Sequence, residues 1–105
     1  MELLLGCGSS RTKRIVVPGY PQDWVELKTL DIEPCHNPDV VADLNNGIPY
    51  PDDTFDEVHA YEILEHLGQQ GDYKSFFATF QEIWRVLKPE GVLCATVPDY
   101  RSMWA

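Results

Sequence analysis

The sequence predicts an α/β domain with a doubly wound, mostly parallel, five-stranded sheet. Three observations lead to this fold class. The apolar run Leu3-Leu4-Leu5 leads directly into Gly6-Cys7-Gly8, which is typical of a buried strand followed by a tight turn. A second apolar segment ends in Asp31, 23 residues after Gly8. The late segment Val92–Val97 is nearly all apolar, as in a strand buried on both faces of a parallel sheet.

The predicted strands lie at residues 2–5, 25–31, 40–42, 55–60 and 92–97. Pro18, Gly19 and Pro21 interrupt any long helix between the first two strands, so at most a short helical turn is expected near residues 10–14. Residues 45–53 are dense in turn formers and are predicted as loop.

Two helices are predicted between the fourth and fifth strands. The first covers Glu62–Leu67 and ends at Gly68. The second begins at Asp72 as its cap and ends in Lys88–Gly91. Helical spacing predicts a core-facing side for its apolar residues, which are Phe76, Phe77, Phe80, Ile83, Trp84 and Leu87. In such a sheet, ligands bind at the carboxyl ends of the strands, where Gly6–Gly8, Asp31 and Asp43 converge.

Length and composition indicate one globular domain over residues 1–105. The formal net charge of −9 argues against nucleic acid as a partner, and the small basic cluster Arg11, Lys13 and Arg14 is interpreted as a solvated loop. Three cysteines without CxxC spacing, and no signal peptide or long apolar run, favour a reducing cytoplasmic location and no membrane. No metal site is expected, because the histidines and cysteines lack the spacing of zinc ligands.

Four segments together resemble the class I S-adenosylmethionine (SAM)-dependent methyltransferases, a Rossmann-like family. They are Leu3–Gly8, Leu30–Pro34, Ala42–Val58 with its Pro-Tyr-Pro-Asp-Asp-Thr-Phe-Asp run, and Ile83–Leu93 with its Arg-Val-Leu-Lys-Pro-Glu-Gly run. The chain is similar to the small-molecule branch, and also to a variant with a shortened first crossover helix.

The resemblance implies a SAM site at matched positions. Gly6 and Gly8 would lie against the methionine half, and Asp31 would accept hydrogen bonds from the ribose hydroxyls, with Glu33 as its substitute. Asp43 would bind the adenine amino group. The full implied cofactor-binding set is Gly6, Cys7, Gly8, Asp31, Ile32, Asp43, Leu44 (through its backbone) and Tyr61, the last lining the methionine pocket. The chemistry agrees, since a cofactor without phosphates needs no P-loop lysine and a cationic sulfonium tolerates acidic surroundings.

Three departures from the family pattern shape the expected activity. Leu4 stands where the family has an acid that helps hold the cofactor's amino group, and Ser10 replaces the third glycine. The family also continues past the fifth strand, whereas this sequence stops at Ala105, so the chain is interpreted as truncated and little methyl transfer is expected from it alone. No catalytic residue or general base is identified.

The same residues also allow purely structural interpretations. The glycines could serve only a turn, and Asp31 and Asp43 could cap turns or face solvent. His66 next to Glu65 is interpreted as a packing residue. Val97–Tyr100 resembles the Asn/Asp-Pro-Pro-Tyr loop of nucleic-acid methyltransferases, but it follows the wrong strand.

The leading functional hypothesis is SAM-dependent methyl transfer to an unknown acceptor, more in keeping with a small molecule than with nucleic acid. The alternative is a non-catalytic, reduced SAM-binding or partner-interaction module. A nicotinamide or flavin dinucleotide binder is disfavoured, because the later glycine that lets the helix approach a pyrophosphate is missing. A homodimer, or a partner protein covering the fifth strand, is expected because that strand would form a bare sheet edge.

Overall fold

A computed structural model describes residues 1–61 and 73–96 of the chain. Five strands and one α-helix make up the described fold, with two short 3-10 turns at Pro34–His36 and Leu44–Asn46. The longer elements are β1 (Glu2–Leu5), β2 (Leu27–Asp31), β3 (Val40–Val41), β4 (Phe55–Tyr61), α1 (Tyr73–Val86) and β5 (Leu87–Thr96). No helix within these described ranges is long and apolar enough to cross a membrane.

The five strands form one sheet in the order β3-β2-β1-β4-β5, and every pairing is parallel. This confirms the predicted fold class. Because all strands run the same way, the residues that follow β1, β2, β3 and β4 share one edge of the sheet. That edge carries the glycine turn and the acidic residues singled out in the sequence.

The first four strands lie close to their predicted positions. β2 begins at Leu27 instead of residue 25, and β4 continues to Tyr61. The predicted loop at 45–53 contains one of the 3-10 turns, over Leu44–Asn46. The predicted helix at Glu62–Leu67, the cap Asp72, the pair Glu65 and His66, and Val97–Tyr100 lie outside the described residues.

The prediction for the fifth strand was wrong at its start. β5 begins at Leu87, so Lys88–Gly91 belongs to the strand and does not separate it from the helix. Phe55 pairs with Leu87 and Glu57 with Val92, so the register shifts at this point. A proline is tolerated there because β5 is the outermost described strand on that side of the sheet, where one row of backbone groups needs no ladder partner.

β5 is also less buried than predicted. Only Leu87 and Cys94 are buried, and the remaining residues from Gly91 to Thr96 are half-buried. An all-apolar sequence fits a central strand of a parallel sheet. Within the described residues, however, β5 has a strand neighbour on one side alone, so its apolar sequence does not bring full burial.

One face of the sheet is apolar and packs against α1. Side chains alternate between the two faces of a strand, so Leu3, Leu5, Leu30, Val58 and Ala60 point to the same side. They form one buried cluster with Ile83 and Val86 of the helix, joined by Ile48, Phe55 and Leu87. This cluster is the hydrophobic core of the described fold.

The predicted core face of α1 needs correction. Among its described side chains, the buried ones are Thr79, Ile83 and Val86, at positions i, i+4 and i+7. Phe77 and Trp84 are each 62% exposed, and Phe80 packs only partly against the core. The side chain of Phe76 lies outside the described residues. The helix is rotated so that Thr79, Ile83 and Val86 face the sheet, which turns Phe77 and Trp84 away from it.

The opposite face of the sheet is polar, although it is equally buried. Glu2, Thr29, Glu57 and His59 lie there with at most 2% of their surface exposed. Residues 6–26 cover this face without forming a helix, as the shortened first crossover predicted. The two faces of the sheet are therefore held by different interactions.

Replacing Ile83 with alanine should lower the free energy of unfolding by about 2–5 kcal/mol, because it removes a fully buried side chain and leaves a cavity. Urea denaturation followed by circular dichroism measures this. Trp84→Ala is the matched control on the next residue, and its effect should stay below about 1 kcal/mol because that side chain is mostly exposed. Equal losses in both variants would contradict the assigned core face.

Candidate functional site

The structure gathers most of the predicted site residues at the carboxyl edge of the sheet. Gly6 follows β1, Asp31 is the last residue of β2, and Tyr61 is the last residue of β4. Asp43 lies two residues after β3. Parallel pairing aligns Leu5 with Leu30 on one side and with Ala60 on the other, so these ends lie side by side.

The turn after β1 depends on its glycines. Gly6 and Gly8 have φ angles of 60° and 56°, in the left-handed region that other residues adopt at a cost. The Gly6 N–H donates to the Leu30 carbonyl oxygen at 2.7 Å, which ties the turn to β2. A Cβ atom placed on Gly8 would meet nothing within 4 Å, so the backbone there faces open space. A ligand could lie directly against it.

Asp31 holds this turn from the neighbouring strand. Its Oδ2 accepts the Gly8 N–H at 2.8 Å, and its Oδ1 accepts the Glu33 N–H at 2.9 Å. His36 Nδ1 lies 3.3 Å from the same Oδ2. Burial alone would raise the pKa of the Asp31 carboxyl, but the bonds from Glu33, Gly8 and His36 outweigh it, so the pKa lies below its usual value. Asp31 is therefore ionised at neutral pH.

Arg11 fastens the glycine turn to the segment after β2. Its guanidinium donates to the carbonyl oxygens of His36 at 2.8 Å and Asn37 at 3.1 Å. Its own carbonyl oxygen accepts the indole N–H of Trp24 at 2.6 Å. The side chain predicted to lie in a solvated loop is thus a structural tie, because its five donors suit several carbonyl groups at once.

A small cavity opens beside the glycine turn. Its volume is about 90 Å³, and it is lined by Leu4, Gly6, Cys7, Ser10, Thr12, Arg14 and Tyr61. Burial raises the pKa of the Cys7 thiol, which is therefore protonated at neutral pH. A volume of this size equals the share of about three water molecules in the liquid, so only part of a large ligand fits inside it.

The other predicted site residues differ in their exposure and in their contacts. Ile32 follows Asp31 and is 57% exposed, an apolar side chain left in water beside the carboxylate. Glu33 is exposed and meets Asp31 through its backbone N–H. Asp43 is half-buried, and the side chain of Leu44 packs partly against the core.

The polar face of the sheet holds a cluster that sequence reasoning missed. Glu57, His59 and Cys94 are buried, and their ligand-type atoms lie within 4.8 Å of one another. Glu57 and His59 are two apart on one strand, and Cys94 is the register partner of His59 on β5. The i, i+2 spacing of Glu57 and His59 in a strand indicates that the two side chains share a face. That Cys94 lies beside them could be known only from the pairing register of β4 with β5.

Lys13 already supplies the cation in this cluster. Its Nζ lies 3.3 Å from both carboxylate oxygens of Glu57, and the two side chains are 3% and 1% exposed. The same Nζ donates to the Pro21 carbonyl oxygen at 2.6 Å. Lys13 was predicted to be solvated, and this was wrong, because a buried carboxylate on the sheet face requires a nearby positive charge. We assign the cluster to holding residues 6–26 on the sheet and do not assign it to a metal.

A larger cavity, of about 430 Å³, lies at the opposite, amino edge of the sheet. It is lined by Tyr20, Asp56 and the segment from Lys88 to Gly91. None of these residues belongs to the glycine turn or to the acidic positions that follow the strands. Its location separates it from the candidate site.

Lys13→Met should lower the free energy of unfolding by about 3–5 kcal/mol, because it leaves the Glu57 carboxylate buried without its cation. Thermal and urea denaturation measure this. Lys74→Met removes an exposed lysine of α1 and should change stability by less than about 0.5 kcal/mol. Adding Glu57→Gln to Lys13→Met should restore part of the loss; no restoration would argue against the pairing.

Comparison with known proteins agrees with the geometry. No curated protein matches the chain. A family model described as a methyltransferase domain matches residues 3–95. The match includes all the predicted site residues, from the glycine turn to Tyr61, and nearly the whole described sheet. Because it spans most of the sequence, the chain belongs to the methyltransferase domain family.

Proposed function

We propose that this chain binds SAM at the carboxyl edge of its sheet and serves methyl transfer to an acceptor. The observation that carries the proposal is Asp31. It is an ionised carboxylate at the end of β2, bonded to the glycine turn at Gly8 and next to the exposed side chain of Ile32. In sheets of this type, an acid at that position binds ribose hydroxyls.

The surroundings of Asp31 fit a nucleoside with an uncharged linkage. The cavity beside Gly6 could take part of the methionine end, and the open space at Gly8 allows close approach of the ligand to the backbone. The exposed apolar surface of Ile32 could cover one face of a base. Asp43, after β3, is the proposed acceptor for the adenine amino group.

When bound, SAM supplies an activated methyl group on a cationic sulfonium. The contribution of the chain is to orient the cofactor and to hold its methyl carbon where an acceptor can approach in line, an effect worth up to about 7–11 kcal/mol of the barrier. Tyr61 is no free base, because its hydroxyl accepts bonds from the backbone of Arg14 and Ile15. We therefore propose positioning, without a general base among the described residues, as the chemistry of this site.

The acceptor is proposed to be a small molecule, since a formal net charge of −9 disfavours a phosphate backbone. Cofactor binding without catalysis remains the alternative, and turnover separates the two. Radiolabelled methyl transfer to small acceptors supports the enzyme, whereas tight SAM binding without transfer supports the alternative.

Association of two chains or of a partner along β5 remains a prediction. β5 is the outermost described strand, but its first half carries Lys88, Pro89 and Glu90, all exposed. Charges and proline on an edge strand oppose pairing with another chain. The segment available for pairing is therefore shorter than the sequence suggested.

Replacing Asp31 with asparagine should weaken SAM binding about tenfold or more. The variant removes a charged hydrogen-bond acceptor, and losing such a bond costs about 1.5–3 kcal/mol. Isothermal titration with SAM and with S-adenosylhomocysteine measures the change. Asp23→Asn, at an exposed position, is the matched control and should bind like the wild type. Unchanged affinity in the folded Asp31 variant would remove this residue from the site.

Replacing His36 with alanine should strengthen SAM binding severalfold. Its imidazole Nδ1 lies 3.3 Å from Asp31 Oδ2, and the Asp31 side chain is only 9% exposed, so a ribose hydroxyl must displace the ring to reach that oxygen. Removing the ring removes that competition. The same titration measures it. Weaker binding in the variant would show that His36 contacts the cofactor instead of competing with it.

A further inference from the structure

Three alternate residues of β4 form a continuous polar chain under the candidate site, buried at Glu57 and His59 and half-buried at Tyr61. Glu57, His59 and Tyr61 lie on the same face of the strand because they are two positions apart. His59 Nε2 lies 2.9 Å from Glu57 Oε1, and His59 Nδ1 contacts the Tyr61 hydroxyl. The chain ends at Tyr61, which lines the cavity beside the glycine turn.

The hydrogen bonds of the Tyr61 hydroxyl determine where its proton lies. The oxygen accepts the backbone N–H of Arg14 at 3.0 Å and that of Ile15 at 3.2 Å. These two bonds use both of its lone pairs, so the hydroxyl has only its own proton left to share. His59 Nδ1 is the acceptor that the described residues place beside it.

This arrangement requires a neutral imidazole. Nδ1 accepts only when the ring proton is on Nε2, and that proton then points to Glu57. Burial lowers the pKa of His59 more than the neighbouring Glu57 raises it, which agrees with a neutral ring. Among the described residues, the charged and titratable groups around the ring are Glu57, Lys13, Glu2, Cys94 and Tyr61, and the indole of Trp24 makes a T-shaped contact with it.

We propose that His59 is a positioning residue for the cofactor: by accepting a hydrogen bond from the Tyr61 hydroxyl, it holds the backbone of Arg14 and Ile15 next to the cavity beside the glycine turn. His59 does not itself line that cavity, so it acts through Tyr61. The backbone at this wall has no helix to hold it, since residues 6–26 contain none. This inference rests on the proposed SAM site.

Protonation of His59 breaks its hydrogen bond with the Tyr61 hydroxyl and so loosens the backbone of Arg14 and Ile15. With both ring nitrogens as donors, the Tyr61 oxygen faces three donors and its own proton loses its acceptor. The His59 pKa is lower in the folded chain than the usual value of about 6.5. The stabilising arrangement is therefore complete above about pH 6.5 and is lost as the pH falls from there through the folded-state pKa.

Asparagine and glutamine at position 59 separate the two nitrogens. The shorter amide of His59→Asn can place its oxygen near the Nδ1 position. There it accepts the hydrogen bond from the Tyr61 hydroxyl, and it does not titrate. The longer amide of His59→Gln reaches the Nε2 position, keeping the contact with Glu57 but not the one with Tyr61. Titration calorimetry with S-adenosylhomocysteine, from about pH 7.5 down to the most acid pH at which the chain stays folded, compares both variants with the wild type.

The wild type should bind about fivefold more weakly once the pH has fallen below the folded-state pKa of His59, a loss equal to about one hydrogen bond. His59→Asn should match the wild type within about twofold at pH 7.5 and vary less with pH. His59→Gln should bind about fivefold more weakly throughout. Equal losses in the two variants, or the wild-type pH dependence in His59→Asn, would overturn the proposal.

Amide hydrogen exchange at Arg14 and Ile15 tests, without any cofactor, whether their N–H groups are bonded to the Tyr61 hydroxyl. Both amides should be protected in the wild type and in His59→Asn, and should lose protection in His59→Gln. Unprotected amides in the wild type would show that Tyr61 does not fix the backbone of Arg14 and Ile15. A wild type that binds no S-adenosylhomocysteine would overturn the proposed function together with the positioning role. Normal cofactor binding by His59→Gln would overturn the positioning role alone.

Discussion

Lys13 and Glu57 form a buried ion pair that joins residues 6–26 to the polar face of the sheet. A carboxylate on the face of a sheet is costly unless a cation meets it there, and both side chains are almost fully withdrawn from water. Lys13 belongs to the segment that replaces the first crossover helix, so the requirement of Glu57 for a cation draws that segment onto the sheet. Pro18, Gly19 and Pro21 prevent a long helix in the same segment. Polar bonds therefore replace the apolar face that a helix would provide.

The candidate site lies where this polar layer meets the ends of the strands. Asp31 holds the glycine turn from β2, Arg11 fastens that turn to the segment after β2, and Tyr61 holds the backbone at Arg14 and Ile15. Each of these ties runs from a side chain to backbone groups, so the walls of the cavity are set by hydrogen bonds more than by apolar packing. Such a site should respond to pH and to single polar substitutions more than the core around Ile83 does.

The sequence allowed prediction of features governed by local rules. The Leu3–Leu5 strand, the glycine turn and the acid at Asp31 follow from periodicity and spacing, and the fold class follows from them. The start of β5 was not predictable, because Lys88–Gly91 reads as a helix end and joins a strand only through its register with β4. The burial of Lys13 was missed for a similar reason: a lone lysine reads as solvated until the fold places Glu57 opposite it. The exposed positions of Phe77 and Trp84 depend on how α1 is rotated over the sheet, and helical spacing alone does not determine that rotation.

Arg85 binds loop carbonyl groups near the amino edge of the sheet in the same way as Arg11 does at the carboxyl edge. Arg85 donates to the carbonyl oxygens of Ile48 at 2.7 Å and Tyr50 at 2.8 Å, and it pairs with Glu82 and Asp52. These bonds hold the loop before β4, as Arg11 holds the turn after β1. A planar guanidinium suits this task, because its donors diverge in one plane and reach several carbonyl groups, whereas an ammonium acts as a compact point charge. Loops at both edges are thus fixed by cations, which explains how a chain with a single described α-helix keeps the ends of five parallel strands in order.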